Sequence, residues 1–202
     1  METARALRFT YEEYQQMYEQ DALGNIKLEF IDGEIYAMSR GTPTHAELTL
    51  SVAALLRDAL RGTCKVFSPD LSIYIASANV ATHPDVSVVC GRPETKPGDP
   101  KALINPSLLV EVLSPKTEAY DRGAKLNYYK LIPSLRAVLL VSQHRPEIML
   151  IERMAGGPSS ITGTRDGWQP TLAHAGSTIM LEAPHVQLRV DDIYAGIELT
   201  PP

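Results

Sequence analysis

The chain lacks several things, and each lack excludes a class of protein. Only two of its 202 residues are cysteines, Cys64 and Cys90. With no CxxC pair and no Cys/His cluster, neither a zinc site nor a disulfide framework is indicated. Both cysteines are expected to be reduced and half-buried in strands. No stretch approaches the roughly 18 consecutive apolar residues of a membrane span. The N-terminal segment METARALRFTYEEYQQ is polar and has no apolar signal core. A cytoplasmic protein without a membrane partner is the expectation. An excess of positive charge is also missing: the formal net charge is −5 at pH 7. That argues against a protein that coats nucleic acid non-specifically, so any nucleic-acid contact must come from a local patch. There is no Gly-rich phosphate loop of Walker or dinucleotide type, and no GxSxG nucleophile elbow. No internal repeat and no linker break the chain. At this length, one domain spanning 1–202 is the default.

What is present reads as a succession of helices and strands. Thr10 and Glu13 form a capping box for a short helix over residues 10–20. LEFIDGEIYAM predicts an N-terminal hairpin within 26–38, turning at Asp32-Gly33. Thr42 and Pro43 open a helix to Arg61, with Leu48, Val52, Leu55, Leu56 and Leu60 as its apolar stripe and Gly62 as its stop. Strand-like runs follow at Lys65–Ile75 (interrupted at Pro69-Asp70), Pro84–Cys90 and Leu108–Leu113. Between the last two, Arg92–Asn105 reads as a surface loop rich in Pro, Gly and charge. A second helix is predicted over 117–131, with Ala124, Tyr128 and Leu131 facing the sheet, and then a strand over Leu135–Val141. Glu147–Arg153 gives another strand, MAGGPSSITGT a turn-rich connector, 178–190 one or two strands, and Asp191–Leu199 a helical turn. The core, about 43–142, is thus helix, three strands, helix, strand, with β extensions at 26–38 and 146–190. A helix crossing between strands favours a parallel pair. The class is α/β (α+β): a mixed sheet flanked by helices, with added N- and C-terminal hairpins.

One residue is out of place in that pattern. Glu111 stands among Leu108, Leu109, Val110, Val112 and Leu113, where a carboxylate is costly to bury without a partner. Asp85 heads the preceding strand. Alternation puts Asp85, Ser87 and Val89 on one face, and Leu109, Glu111 and Leu113 on one face of the neighbour. If the faces coincide, two carboxylates converge, and they repel unless a cation or a proton lies between them. Oxygen ligation of that kind suits Mg²⁺ or Mn²⁺. The plainer alternatives are a turn acid at Asp85 and a buried ion pair of Glu111 with a lysine. Lys125 is the candidate for that lysine, although an exposed Asp121–Lys125 helix pair explains it as well. His45, His83, Glu29 and Asp70 are further polar candidates, each also readable as a surface, loop, strand or turn residue. The segment 116–130 carries four basic residues, Lys116, Arg122, Lys125 and Lys130, against two acids.

At Pro84-Asp85, then Glu111-Val112-Leu113-Ser114-Pro115, then Lys125-Leu126 and Tyr129, the sequence resembles the Uma-two-type endonuclease family. That family, formerly a domain of unknown function, belongs to the PD-(D/E)XK restriction-endonuclease-like superfamily. The likeness runs from Ile31–Glu34 and Met38-Ser39 through His45 to the C-terminal hairpin. It implies a restriction-endonuclease-like αβββαβ core and Mg²⁺-dependent hydrolysis of DNA, with Asp85 and Glu111 as metal ligands. The Val112 backbone carbonyl would be a third ligand and Lys125 the catalytic lysine. Glu29, His45 and Asp70 match recurrent polar positions, and His83 stands where the usual QPD has glutamine. Lys116, Arg122 and Lys130 would position phosphates. The resemblance departs at Leu113, where the superfamily pattern places its lysine. That departure and the acidic charge support the competing reading, a catalytically inactive nuclease-fold module that binds nucleic acid or protein. An edge strand and an apolar C-terminal hairpin favour a homodimer.

Overall fold

The Asp32-Gly33 dipeptide turns the first hairpin because both residues adopt positive φ, 44° and 93°, the requirement of a two-residue type I′ connection. It joins β1 (Leu28–Ile31) to β2 (Glu34–Ala37), with Ile31 opposite Glu34. The computed structural model describes residues 8–19, 27–38, 41–154 and 167–199. Ser39, and the predicted connector beyond Met154, lie outside the described residues. Helix α1 (Tyr11–Glu19) is closed by the expected capping box. The Glu13 amide donates to Thr10 Oγ1 at 3.1 Å, and the Thr10 amide to Glu13 Oε2 at 2.7 Å. Helix α2 (Pro43–Ala59) starts on Thr42, whose hydroxyl accepts from the His45 amide at 3.1 Å. It buries Leu48, Val52 and Leu56.

Two six-stranded sheets form. The first takes β3 (Cys64–Phe67), β6 (Val86–Cys90), β9 (Leu108–Leu113), β10 (Ala137–Ser142), β11 (Glu147–Arg153) and β12 (Trp168–His174), side by side in that order. The second takes β2, β1, β5 (Val80–Thr82), β4 (Ser72–Ile75), β8 (Asp99–Leu103) and β7 (Thr95–Lys96). A small hairpin of β13 (Thr178–Leu181) and β14 (Val186–Arg189) leads to α5 (Val190–Ile193). The αβββαβ core is therefore α2, β3, β6, β9, a crossover helix and β10. As expected for a helical crossover, β9 and β10 are parallel, with Glu111 opposite Leu140. The architecture is mixed α+β, with mixed sheets flanked by helices.

Four readings of the sequence need correction. The run Lys65–Ile75 is not one strand: the turn around Pro69-Asp70 sends β3 into one sheet and β4 into the other. Arg92–Asn105 is not only a loop, since β7 and β8 fall within it. There Asp99 is buried and accepts from the Tyr11 hydroxyl at 2.7 Å, so its charge did not mark solvent. The second helix is not uniformly α: α3 (Glu118–Tyr120) passes through a π-helical turn (Asp121–Lys125) into α4 (Leu126–Lys130). The wider turn resets the helical face. Asp121, Lys125, Leu126, Tyr129 and Ile132 are buried, whereas Leu131 of the expected stripe is 50% exposed. Finally, Cys64 and Cys90 are not reduced. They stand directly opposite on β3 and β6, with Cα atoms 4.1 Å apart, and form a disulfide. That separation is close to the narrow, non-hydrogen-bonded spacing of antiparallel strands.

The first sheet has a core on each face. On one, Leu48, Val52 and Leu56 of α2 meet Val86, Val88 and Val110, extended by the C-terminal hairpin. On the other, Leu109, Leu113 and Leu140 meet Tyr129 of the crossover helix, with Ile73, Ile75 and Val80 from the second sheet. Glu111 points to this second face. No helix among the described residues is long and apolar enough to cross a membrane.

Candidate active site

Strand pairing brings the two acids together. Ser87 lies opposite Leu109 and Val86 opposite Val110, and continuing that register by one pair sets Asp85 opposite Glu111. Pro84 stops the β6 ladder just before this point, so the Asp85 carboxylate turns to β9 and accepts the Val112 amide at 2.7 Å. The same oxygen, Oδ2, is 3.2 Å from His45 Nε2 at the start of α2.

Lys125 enters from the π-helical turn. Its Nζ lies 2.9 Å from Glu111 Oε1, 3.3 Å from Glu29 Oε1 and 3.7 Å from Asp121 Oδ1. Glu111 Oε1 also accepts from the Tyr129 hydroxyl. Glu29, brought over by β1, accepts from the Thr82 hydroxyl, from the His83 amide at 3.3 Å and from the Tyr120 hydroxyl at 3.4 Å. The bland reading of Asp121–Lys125 as an exposed pair is wrong, because both residues are buried in this cluster.

The electrostatics follow from counting charges. Four carboxylates (Glu29, Asp85, Glu111 and Asp121) share one ammonium and one imidazole. Burial pushes the Glu111 carboxyl well above its ordinary range, more than Lys125 pulls it down, and Asp85 and Asp121 add to the rise. Asp121 is raised by burial too, partly offset by Lys125. Glu29 goes the other way: burial opposes ionisation, but Lys125, Thr82 and the His83 amide outweigh it. Burial alone would discharge Lys125, yet the surrounding acids, Glu111 foremost, hold it charged. His45 is likewise disfavoured as a cation by burial, and the Asp85 carboxylate more than restores it.

A cavity of about 730 Å³ opens onto this cluster, lined by Glu29, His45, Asp85, Glu111, Asp121 and Lys125 among others. Its fit to a divalent cation can be judged from the donors. Among the described residues, no group of three or more His, Cys, Asp or Glu side chains is arranged to hold a metal. Asp85 and Glu111 are a two-carboxylate set. Oδ2 and Oε1 are committed to protein donors, while no hydrogen bond among the described residues engages Asp85 Oδ1 or Glu111 Oε2. Two such oxygens suit Mg²⁺, which keeps several waters and takes one or two carboxylates plus substrate phosphate.

The other sequence-predicted residues scatter. Lys116 lines the cavity and is exposed. Arg122 is engaged by Glu118 at 2.7 Å, and neither it nor Lys130 lines the cavity. Asp70 lies away from it, bonded to Ser68 and paired with Lys27. His83 is buried behind Glu29, its Nδ1 3.0 Å from the Pro69 carbonyl. Leu113 is buried in the second core, and the lysine arrives from the helix. Tyr129 was named only as part of the motif that carries the resemblance, and its role, those of Thr82 and Tyr120, and the buried state of Asp121 were not anticipated. Tyr129 follows Lys125 by four residues, so helical spacing alone places it on the lysine's face.

A helix, three strands, a crossover helix and a fourth strand parallel to the third give the chain a restriction-endonuclease-like fold. Comparison with known proteins takes this further. The model of the Uma2 family, described as "Putative restriction endonuclease", matches residues 11–182, and the chain belongs to that family. Two Synechocystis relatives are described as uncharacterized proteins. One, slr1290, is 35% identical over 187 residues, covering 92% of this chain and 91% of its own. The other, sll1609, is 33% identical over 135 residues, covering 66% and 75%. The crystal structure of a "putative nuclease belonging to DUF820" from Anabaena variabilis superposes with a TM-score of 0.68, covering 91% of this chain and 98% of that one. At 13% identity it shares the fold.

Proposed function

We propose that the protein is a metal-dependent nuclease that hydrolyses DNA phosphodiester bonds. The observation that carries this is that Asp85, just ahead of β6, and Glu111 on β9 line one cavity, each with one oxygen uncommitted among the described residues, beside a buried, charged lysine. Asp85, held by His45 and the Val112 amide, and Glu111, held by Tyr129 and Lys125, would bind Mg²⁺ or Mn²⁺, with the Val112 carbonyl as a third ligand. When bound, such an ion supplies a Lewis acid for the phosphate and a water of lowered pKa. Lys125 places a fixed positive charge where negative charge grows on the phosphate. Glu29 and Asp121 hold the ammonium in that position. Lys116 meets a flanking phosphate at the cavity mouth.

Nicking of supercoiled plasmid in Mg²⁺ or Mn²⁺, set against EDTA, tests this. Loss of nicking in both Asp85→Ala and Glu111→Ala is expected, and activity retained in both would refute the assignment. The absence of a third side-chain ligand among the described residues favours a second reading, a binding module without catalysis. No Mn²⁺ binding at millimolar concentration by calorimetry would select it.

A further inference from the structure

The acids occupy only part of the cavity. Beside Thr42, Ser114, Lys116 and Thr117, much of its remaining wall is apolar and aromatic, including Tyr36, Met38, Pro115, Tyr120 and Tyr128. Tyr36 is 46% exposed on β2, a strand at the edge of its sheet. Tyr120 and Tyr128 are half-buried and come from the helix that delivers Lys125. Among the described residues, none of these three rings packs against another aromatic ring; the ring contacts lie around Tyr11, Tyr14 and Phe30, and at Tyr18–His83. A soluble fold ordinarily covers such rings, and here they face a space of small-ligand size.

Two further observations narrow the ligand. Glu111 and Lys125 are only 4% and 3% exposed, so a phosphate must descend into the cavity to meet them. A backbone constrained within a duplex does this poorly, whereas an unpaired nucleotide can. Charge points the same way. Lys125 is committed to three acids, His45 is paired with Asp85, and Lys116 is the one exposed lysine lining the cavity among the described residues. With so few free cations at the cavity, phosphate neutralisation, on which duplex binders rely, supplies little of the affinity there. Base stacking on exposed rings is the remaining large source, and it requires a free base face.

We infer that the substrate enters as an unpaired nucleotide, in single-stranded, bulged or flipped DNA, with its base against Tyr36 and Tyr128 and its phosphate at Asp85 and Glu111. The inference rests on the nuclease reading for the phosphate end, and on the aromatic wall alone for the base end.

The test measures binding in Ca²⁺, without turnover, of a single-stranded oligonucleotide carrying 2-aminopurine, against the same sequence in a duplex. Single strands are expected to bind at least about tenfold more tightly and to quench the fluorophore. Tyr36→Ala and Tyr128→Ala should each weaken binding roughly 5- to 150-fold, the range for loss of one stacked base, and Tyr36→Trp should retain it. Affinity should fall only shallowly with salt, with a logarithmic slope near −1, about that of one phosphate contact. Equal or tighter duplex binding, no quenching, no binding of single strands, or indifference to both alanine substitutions would overturn the inference. The two proposals fail separately. Asp85-dependent plasmid nicking without single-strand preference removes only this one. Tyrosine-dependent single-strand binding without any cleavage removes only the catalytic reading.

Discussion

Lys125 Nζ lies 2.9 Å from Glu111 Oε1, with the two side chains only 4% and 5% exposed. Removing one member of a buried pair leaves the other charge without compensation, which costs about 3–5 kcal/mol. Lys125→Met is therefore expected to lose roughly that much stability at neutral pH in urea denaturation. Pairing it with Glu111→Gln should restore part of the loss, because the stranded carboxylate is gone. If Lys125→Met costs under about 1 kcal/mol, a value typical of exposed pairs, the Lys125–Glu111 pair is not buried as described.

His45 and Asp85 give a titration with a definite sign. Burial lowers the imidazole's tendency to charge, and the Asp85 carboxylate raises it by more, so the folded value lies above the ordinary 6.5. A raised histidine contributes stability that is complete below 6.5 and is lost as pH rises through the folded value. In EDTA, the His45 ring followed by NMR should titrate above 6.5 in the native protein. In Asp85→Asn burial and Lys125 still oppose the charge and only the weaker pull of Asp121 favours it, so the midpoint should drop below that of the native protein. A midpoint unchanged by Asp85→Asn would show that His45 is not paired as described.

How far the sequence revealed this arrangement depends on the range of each interaction. The convergence of Asp85 and Glu111 was readable because strand alternation is a local rule, and a single antiparallel register then aligned the faces. The capping box of α1 and the turn at Asp32-Gly33 were local for the same reason. Glu29 could not be placed, because its partners Lys125 and Thr82 come from other elements and meet only after the second sheet folds over the first. The separation of β3 from β4 turned on one Pro-Asp corner, which resembles an interruption as much as a change of sheet. The π-helical turn leaves no trace in apolar spacing, yet it lies between Asp121 and Lys125, which are both buried in the cluster.

The Cys64–Cys90 disulfide ties the edge strand β3 to β6 across 26 residues of chain. Cross-linking a loop of that length is worth about 3–4 kcal/mol if the loss of unfolded-chain entropy dominates. Reduction with dithiothreitol should lower the urea midpoint accordingly, and Cys64→Ser/Cys90→Ser should reproduce the reduced value. Free thiols titrating in the unreduced, unfolded protein would show that the bond does not form. Since disulfides are uncommon in reducing compartments, that thiol count also tests the cytoplasmic expectation.

Tyr129 anchors one of the two Glu111 oxygens. Its hydroxyl donates to Oε1, the oxygen that Lys125 also contacts, which leaves Oε2 uncommitted among the described residues. The ring itself is fully buried in the second core, so Tyr129→Phe keeps the packing and removes a single donor. Hydrogen bonds to charged groups contribute about 1.5–3 kcal/mol, and a stability loss in that range is expected. A second effect separates orientation from mere stabilisation. With one anchor gone, the carboxylate can rotate Oε2 toward Lys125, and Mn²⁺ affinity by calorimetry should fall by about tenfold, the scale of losing a supporting partner behind a metal ligand. Plasmid nicking should fall with it. A variant that loses stability but keeps native Mn²⁺ affinity would mean that Lys125 alone orients Glu111.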